Sequence, residues 1–137
     1  AMYDQGADIV MNVASGTGVG VLQAAAEAGL YAIGVDMNQD GDQPGHILTS
    51  MLKENGTAVY EIIKAAQNGT FEGGTYMYLD LAYGGVDTTD MSTIKSTLSE
   101  ENAALLDELL AEIADLKQQI ASGELVVSNY EGFGPQA

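Results

Sequence analysis

The sequence predicts a three-layer α/β sandwich, in which a mostly parallel sheet lies between two layers of helices. Two observations support this prediction. Segments 8–14 and 31–36 are short apolar runs without alternation, which is typical of strands buried on both faces of a parallel sheet. Between them, apolar residues recur at helical spacing over 19–28, and Gly29 follows as a stop signal. This βαβ unit is expected to have a right-handed crossover.

The next part of the chain predicts a loop, a strand and a second helix. Residues 37–46 are polar and contain glycine and proline, which indicates an exposed loop. A short strand is expected at 46–52. Thr57 is a candidate N-cap for a helix at 57–67, whose apolar residues form one face that needs a sheet to cover it.

The last part of the chain predicts a strand and a long helix. Side chains alternate in polarity over 75–81, as in a strand near the edge of a sheet. Ser99 precedes two glutamates and is a strong start for a helix at 99–122. Leucine and isoleucine in that helix form a short heptad-like seam. An amphipathic helix packed on the sheet is favoured, and coiled-coil pairing is the alternative.

The amino-acid composition limits the classes of function that this chain can have. The chain has 137 residues, 46% hydrophobic and 18% charged, with a formal net charge of −16, which is enough apolar material for one folded domain. Four lysines against twenty carboxylates exclude nucleic-acid binding. One histidine and no cysteine exclude a multi-histidine zinc site and a disulfide framework. The N-terminus lacks the regions of a signal peptide and leads after six residues straight into a buried-looking strand, so we expect a domain excised from a longer protein.

A glycine-rich turn is the first candidate for a ligand site. Residues 15–20 (SGTGVG) lie between a predicted strand and helix, and Asp36 ends the next strand. This spacing imitates a dinucleotide-binding fingerprint, but Val21 stands at the sixth position, where the fingerprint needs glycine. Free N–H groups at the helix N-terminus still favour a polar ligand there. A nucleotide-cofactor-binding enzyme domain that uses this turn and Asp36 is therefore the alternative function.

Asp36 and Lys53 are the candidate ligand side chains, because each lies where a predicted strand ends. The two oxygens of a carboxylate suit a pair of sugar hydroxyls, and a lysine can donate to a hydroxyl or carbonyl. Asp36, Asn38 and Asp40 also match the first half of a calcium loop, but its closing position holds Ile47 instead of glutamate. We therefore expect a solvated acidic loop and no metal site.

The ordered motifs of the chain resemble a known family. The segments GADIVMNVASGTGVGVLQAAAEAGLYAIGVDMNQD and HILTSMLKENGTAVYEIIKAAQNGTFEGGTYMYLDLAYGGVDTTDM are similar to the basic membrane protein family of bacterial ABC-transporter substrate-binding lipoproteins. The resemblance implies one lobe of a type I periplasmic-binding-protein-like fold. It also implies purine nucleoside bound in the cleft between two lobes. Because such proteins are about twice this length or more, residues 1–137 are expected to be the C-terminal lobe.

The resemblance assigns roles to individual residues. It implies that the turn from Ala14 to Gly18 lines the sugar side of the cleft, that Asp36 takes the ribose hydroxyls, and that Lys53 contacts the ligand. Met11 stands where many members have an aromatic residue that stacks on the base. The predicted ligand-binding residues are Met11, Asn12, Gly16, Thr17, Gly18, Asp36 and Lys53.

The resemblance also implies a setting for the chain. It implies a non-enzyme without cofactor, an ABC permease as partner, and an extracytoplasmic, lipid-anchored location for the full-length protein at the bacterial cell membrane. Segment 46–68 is a candidate for packing on the missing N-terminal lobe. Since a lobe separated from its partner exposes apolar surface, we expect this chain alone to self-associate or to exchange that segment between copies.

Overall fold

The computed structural model describes residues 2–128, so residue 1 and residues 129–137 of the predicted lobe lie outside the described part. Its sheet has the strand order β1-β2-β3-β4; the first three strands are parallel, and β4 is antiparallel to β3. Single 3-10 turns occur at Tyr3–Gln5 and Ser15–Thr17. The strands are β1 (Ile9–Met11), β2 (Tyr31–Asp36), β3 (Ile47–Lys53) and β4 (Val86–Thr88), and the helices are α1 (Gly18–Ala28), α2 (Asn55–Gln67), α3 (Ser92–Lys95) and α4 (Glu100–Ser122).

The core lies between α1 and the sheet. Leu22 and Ala25 of α1 pack against Ala32 of β2 and Ile47 of β3, and all four are fully buried. Helix α1 ends at Gly29, whose φ of 66° is the left-handed conformation that favours glycine. The predicted βαβ unit is therefore confirmed.

Helices α3 and α4 cover the opposite face of the sheet. Ser99 caps α4 by accepting a hydrogen bond from the Asn102 amide, and Gly123 ends the helix at a φ of 80°, so the predicted helix 99–122 is confirmed. Side chains of α4 face Tyr31 and Ile33 of β2 across an apolar groove of about 310 Å³. With helices on both faces of a mostly parallel sheet, the predicted α/β fold class is confirmed.

Helix α2 begins earlier than predicted. Its first hydrogen bond runs from the Ala58 amide to the Glu54 carbonyl, so Thr57 lies inside the helix and is not its N-cap. The chain turns into the helix directly after β3, and this connection overrides the local capping preference of threonine. The apolar face of α2 lies open instead of covering the sheet: Val59, Ile62 and Ile63 are 57%, 45% and 53% exposed.

The predicted strand at 75–81 is wrong. Residues 75–80 form neither helix nor strand and pair with no strand in the described part of the chain, and Tyr76 and Tyr78 are about three-quarters exposed. A strand needs a neighbour for its backbone hydrogen bonds, and alternating side chains alone do not supply one. The chain rejoins the sheet at Gly85, whose carbonyl accepts from the Glu54 amide at 3.0 Å, and β4 follows.

Candidate functional site

The predicted ligand side chains meet at the carboxyl edge of the parallel strands. Asp36 is the last residue of β2 and pairs with Leu52, one residue before Lys53 at the end of β3. This register brings the Lys53 Nζ to 2.7 Å from the Asp36 Oδ1. The side chains are 54% and 46% exposed, so both remain accessible to a ligand. The structure thus joins the two charged residues that the sequence singled out.

Asp36 has an unusual backbone conformation. Its φ of 74° lies in the left-handed region. This region is unfavourable for a residue with a Cβ, and aspartate is among the few that tolerate it. Such residues cluster at ligand sites, where the surrounding structure maintains the strain. The conformation ends β2 sharply and places the carboxylate beside Lys53.

The glycine-rich turn is one 3-10 turn followed at once by α1. Thr17 donates its hydroxyl to the Ala14 carbonyl at 2.6 Å and makes no side-chain cap for α1. The Gly18 amide, the first of α1, donates to the Ser15 carbonyl within this turn, so the free N–H groups expected from the sequence are not free at this first position. Ser15 has a φ of 48°, so it is, after Asp36, the second residue of this site in the left-handed conformation.

The two glycines of the predicted site have different environments. A Cβ on Gly18 would lie 2.5 Å from the Asn12 Oδ1, so only glycine allows the helix to begin this close to β1. A Cβ on Gly16 would meet nothing within 4 Å, which leaves space above the turn. The structure therefore gives Gly18 a packing role and leaves Gly16 free to be approached.

The other two predicted residues lie at the end of β1. Met11 is 44% exposed, whereas the next residue, Asn12, is only 4% exposed. Asn12 donates from Nδ2 to the Gln39 Oε1 at 3.5 Å and lies beneath Gly18. The Asn12 side chain thus supports the glycine-rich turn. Of these two residues, only Met11 is exposed enough for a ligand to reach.

A buried polar network beneath the site was missed by the sequence reasoning. Asp40 is 3% exposed and accepts a 2.6 Å hydrogen bond from the Ser50 hydroxyl, so the expectation of a solvated loop is wrong at this residue. Gln39 also bonds to Ser50, through its backbone amide. The available signal was Ser50 itself, a polar residue inside an apolar strand, because a buried hydroxyl requires a partner.

The charges around the site are distributed unevenly. Lys53 lies at the carboxyl edge, whereas the other three lysines pair with carboxylates elsewhere: Lys64 with Glu61, Lys95 with Asp107 and Lys117 with Asp87. Within residues 2–128, no cluster of three or more histidine or acidic side chains could hold a metal ion. In the same range, no helix is long and apolar enough to cross a membrane.

Comparison with known proteins identifies the family. Residues 1–131 match the family described as ABC transporter substrate-binding protein PnrA-like. The chain belongs to this family. The resemblance drawn from the sequence is therefore confirmed.

Two curated relatives illustrate what the chain is similar to. The ABC transporter nucleoside-binding protein BmpA of Lactococcus lactis is 32% identical over 93% of this chain and 38% of its own length. Basic membrane protein D of Borreliella burgdorferi is 34% identical over 72% of this chain and 30% of its own length. The chain thus spans between about a third and two fifths of the relatives that it matches.

Solved structures show the same fold. An ABC transporter solute-binding protein from Aeropyrum pernix is 28% identical and superposes with a TM-score of 0.68 over 96% of this chain and 43% of its own. A transcriptional activator of the comK gene from Bacillus halodurans superposes with a TM-score of 0.75 over 93% of this chain and 41% of its own. At 22% identity, the latter supports the fold alone.

Proposed function

We propose that this chain is the C-terminal lobe of an extracytoplasmic, lipid-anchored solute-binding protein that delivers a nucleoside-like ligand to an ABC permease. The ion pair between Asp36 and Lys53, at the carboxyl edge of a parallel sheet, carries this proposal. Membership of the family supports it, as does the similarity to the nucleoside-binding protein of Lactococcus lactis. Under this proposal the chain binds and releases its ligand and catalyses no reaction.

The ion pair offers the chemistry that a ribose requires. The Asp36 carboxylate accepts from the two ring hydroxyls, and Lys53 donates to a hydroxyl oxygen and stays close enough to neutralise the carboxylate. The turn at Gly16 and Thr17, with open space above Gly16, lines the ligand at this edge. Met11, half exposed beside this edge, packs its polarisable thioether on the base.

The second wall of the cleft is assigned to the preceding lobe. The chain leaves the sheet after Glu54 and returns at Gly85, and these two residues bond to each other at 3.0 Å. The excursion between them carries exposed apolar side chains on α2 and in 71–78. We place this excursion against the N-terminal lobe, whereas β3, which opens the candidate segment 46–68, is an interior strand of this sheet.

The alternative function is a nucleotide-cofactor-binding enzyme domain. The glycine-rich turn at a helix N-terminus favours it, since such turns bind phosphate. A phosphate site also needs cationic partners, and Lys53 is the one lysine at this edge and already pairs with Asp36. Because its lysine is already paired with a carboxylate, this edge favours an uncharged nucleoside over a nucleotide.

A ligand panel on the two-lobed protein tests the proposal. Isothermal titration calorimetry with adenosine, guanosine, inosine, adenosine monophosphate and a nicotinamide dinucleotide separates the two functions. We expect at least one nucleoside to bind more tightly than either phosphorylated compound. Tighter binding of a phosphorylated compound would favour the enzyme alternative, and no binding of any nucleoside would contradict the ligand assignment.

A further inference from the structure

Gln39 connects three parallel strands. Its side-chain Oε1 accepts from the backbone amide of Val35 in β2 at 2.9 Å and from the Nδ2 of Asn12, after β1, at 3.5 Å. Its own backbone amide donates to the hydroxyl of Ser50 in β3 at 3.0 Å. A single residue in the loop after β2 thus holds together the three strands that form the candidate site.

The orientation of the Gln39 amide follows from its partner. A backbone N–H can only donate, so the atom that faces the Val35 amide is the oxygen of Gln39. The loop reaches this position because Gly34 has no side chain. A Cβ there would lie 2.5 Å from the Ser50 Oγ and 3.1 Å from the Cβ of Gln39. Glycine at position 34 therefore allows Gln39 to fold back on β2.

The bond from Val35 to Gln39 encloses Asp36. Asp36 lies between these two residues and has the left-handed φ of 74°. The bond between Val35 and Gln39 restricts the backbone on either side of Asp36. This restriction directs the Asp36 carboxylate toward Lys53. A strained conformation persists only where the surrounding contacts determine it, and Gln39 supplies such a contact.

We propose that Gln39 is the positioning residue of the ligand site. It holds Asp36 in the conformation that presents its carboxylate, and through Asn12 it ties this conformation to the glycine-rich turn. Gln39 acts through Asp36, and its side chain is committed to Val35 and Asn12 instead of the ligand. This inference rests on the proposed function, because it assigns the source of ribose recognition.

Paired ligands distinguish positioning from general destabilisation. Calorimetry on the two-lobed protein compares adenosine with 2′,3′-dideoxyadenosine, which lacks the hydroxyls that Asp36 would accept. We expect Gln39→Leu to weaken adenosine binding about tenfold, the effect of a misplaced charged hydrogen-bond acceptor, and to leave dideoxyadenosine within about twofold. Gln39→Glu keeps an oxygen acceptor toward Val35 and Asn12 and restores adenosine binding. Exposed Asp42→Ala is the matched loop control.

Equal weakening of both ligands by Gln39→Leu would overturn the proposal, because a merely structural residue affects them alike. A second readout needs no ligand: amide hydrogen exchange at Val35 in the ligand-free protein. We expect exchange at Val35 to accelerate in Gln39→Leu, and in Gln39→Ala should the leucine variant not fold, but not in Gln39→Glu. If the wild type binds no nucleoside, the proposed function fails. The rate of amide exchange at Val35 then tests separately whether Gln39 holds this backbone in place. Unchanged exchange in Gln39→Leu and Gln39→Ala would overturn the proposal.

Discussion

Ser50 donates a 2.6 Å hydrogen bond to the Asp40 carboxylate, and both residues are buried although Asp40 lies in the loop after β2. The Asp40 amide also bonds to the side chain of Asn38 at 3.0 Å. A hydroxyl bonded to a carboxylate at this length is among the stronger hydrogen bonds in proteins. The loop is therefore fastened to β3 at a point below the ligand site.

Removing the Asp40 carboxylate should destabilise the fold. Asp40→Ala leaves the buried Ser50 hydroxyl without its acceptor, so we expect the free energy of unfolding to fall by about 1–3 kcal/mol. Asp42→Ala, two residues along and exposed, should change it by less than about 0.5 kcal/mol. Urea denaturation of the three proteins measures both values. Equal stability of the two variants would show that the Ser50 bond contributes little.

Elements with a local signal could be predicted from the sequence. The apolar run of β2 and the helical spacing of apolar residues in α1 follow directly from the packing of the core. Gly29 marks the end of α1. Asp36 and Lys53 could be placed at the same edge of the sheet because parallel strands end there, but their ion pair appears only in the structure. These predictions needed only the order of the elements and the direction of the strands.

Features that depend on a distant partner could not be predicted. The alternation over 75–81 records a surface with one apolar side, but no neighbouring strand is present in residues 2–128 to pair with it. The polar neighbours of Asp40 in the sequence predict a solvated carboxylate. Only the folding of the loop onto Ser50 shows that Asp40 is buried. The role of Gln39 likewise depends on the bare backbone of Gly34 meeting the loop in space.

The attachment of α4 to β4 should depend on pH. The hydrogen bond from Lys117, at 2.5 Å, lowers the pKa of Asp87 from its usual value. Because the folded pKa lies below the unfolded one, this pair stabilises the fold above about pH 4 and loses its effect as the pH falls through the folded pKa. Asp87 is about half exposed, so solvent screening limits the contribution to at most about 1 kcal/mol.

Comparison of Asp87→Asn with the wild type measures this contribution. We expect the variant to be less stable near pH 7 and equal in stability near pH 2, where the carboxylate of the wild type is protonated. Exposed Glu124→Gln is the control and should show no such convergence. A stability difference for Asp87→Asn that grows on acidification would contradict the sign worked out from the pKa.

Ser15 carries strain that glycine would relieve. Its φ of 48° lies in the left-handed region, where a Cβ is unfavourable. We expect Ser15→Gly to raise the free energy of unfolding by up to about 1 kcal/mol, reduced by the larger entropy of glycine in the unfolded chain. Ser122→Gly, in the last turn of α4, should act in the opposite direction. Thermal unfolding of both variants checks the two signs, and destabilisation by Ser15→Gly would refute this account of the turn.

The chain studied alone should self-associate through the open side of α2. Ile62 and Ile63 are exposed there, and the exposed Phe71 lines the same surface pocket as Ile62. The net charge of −16 opposes contact between copies, so light scattering should be measured at moderate salt, where this repulsion is screened. We expect a mass above that of the monomer. Ile62→Lys should shift it toward the monomer, whereas Gln67→Lys on the same helix should not; a strictly monomeric wild type would contradict the prediction.

Ligand affinity of the two-lobed protein tests the assignment of Asp36 most directly. A carboxylate that accepts two ribose hydroxyls contributes about 1.5–3 kcal/mol for each bond, so Asp36→Ala should weaken nucleoside binding about a hundredfold or more. Asp42→Ala should leave the affinity unchanged, because its side chain lies in the exposed part of the loop. This chain alone should bind poorly, since the second lobe supplies the other wall of the cleft and excludes water.

Calorimetric titration of the wild type, Asp36→Ala and Asp42→Ala with the tightest-binding nucleoside gives the decisive comparison. We expect a loss of about a hundredfold for Asp36→Ala alone. Equal affinities of the Asp36 and Asp42 variants would contradict the proposal that Asp36, paired with Lys53, recognises the ribose.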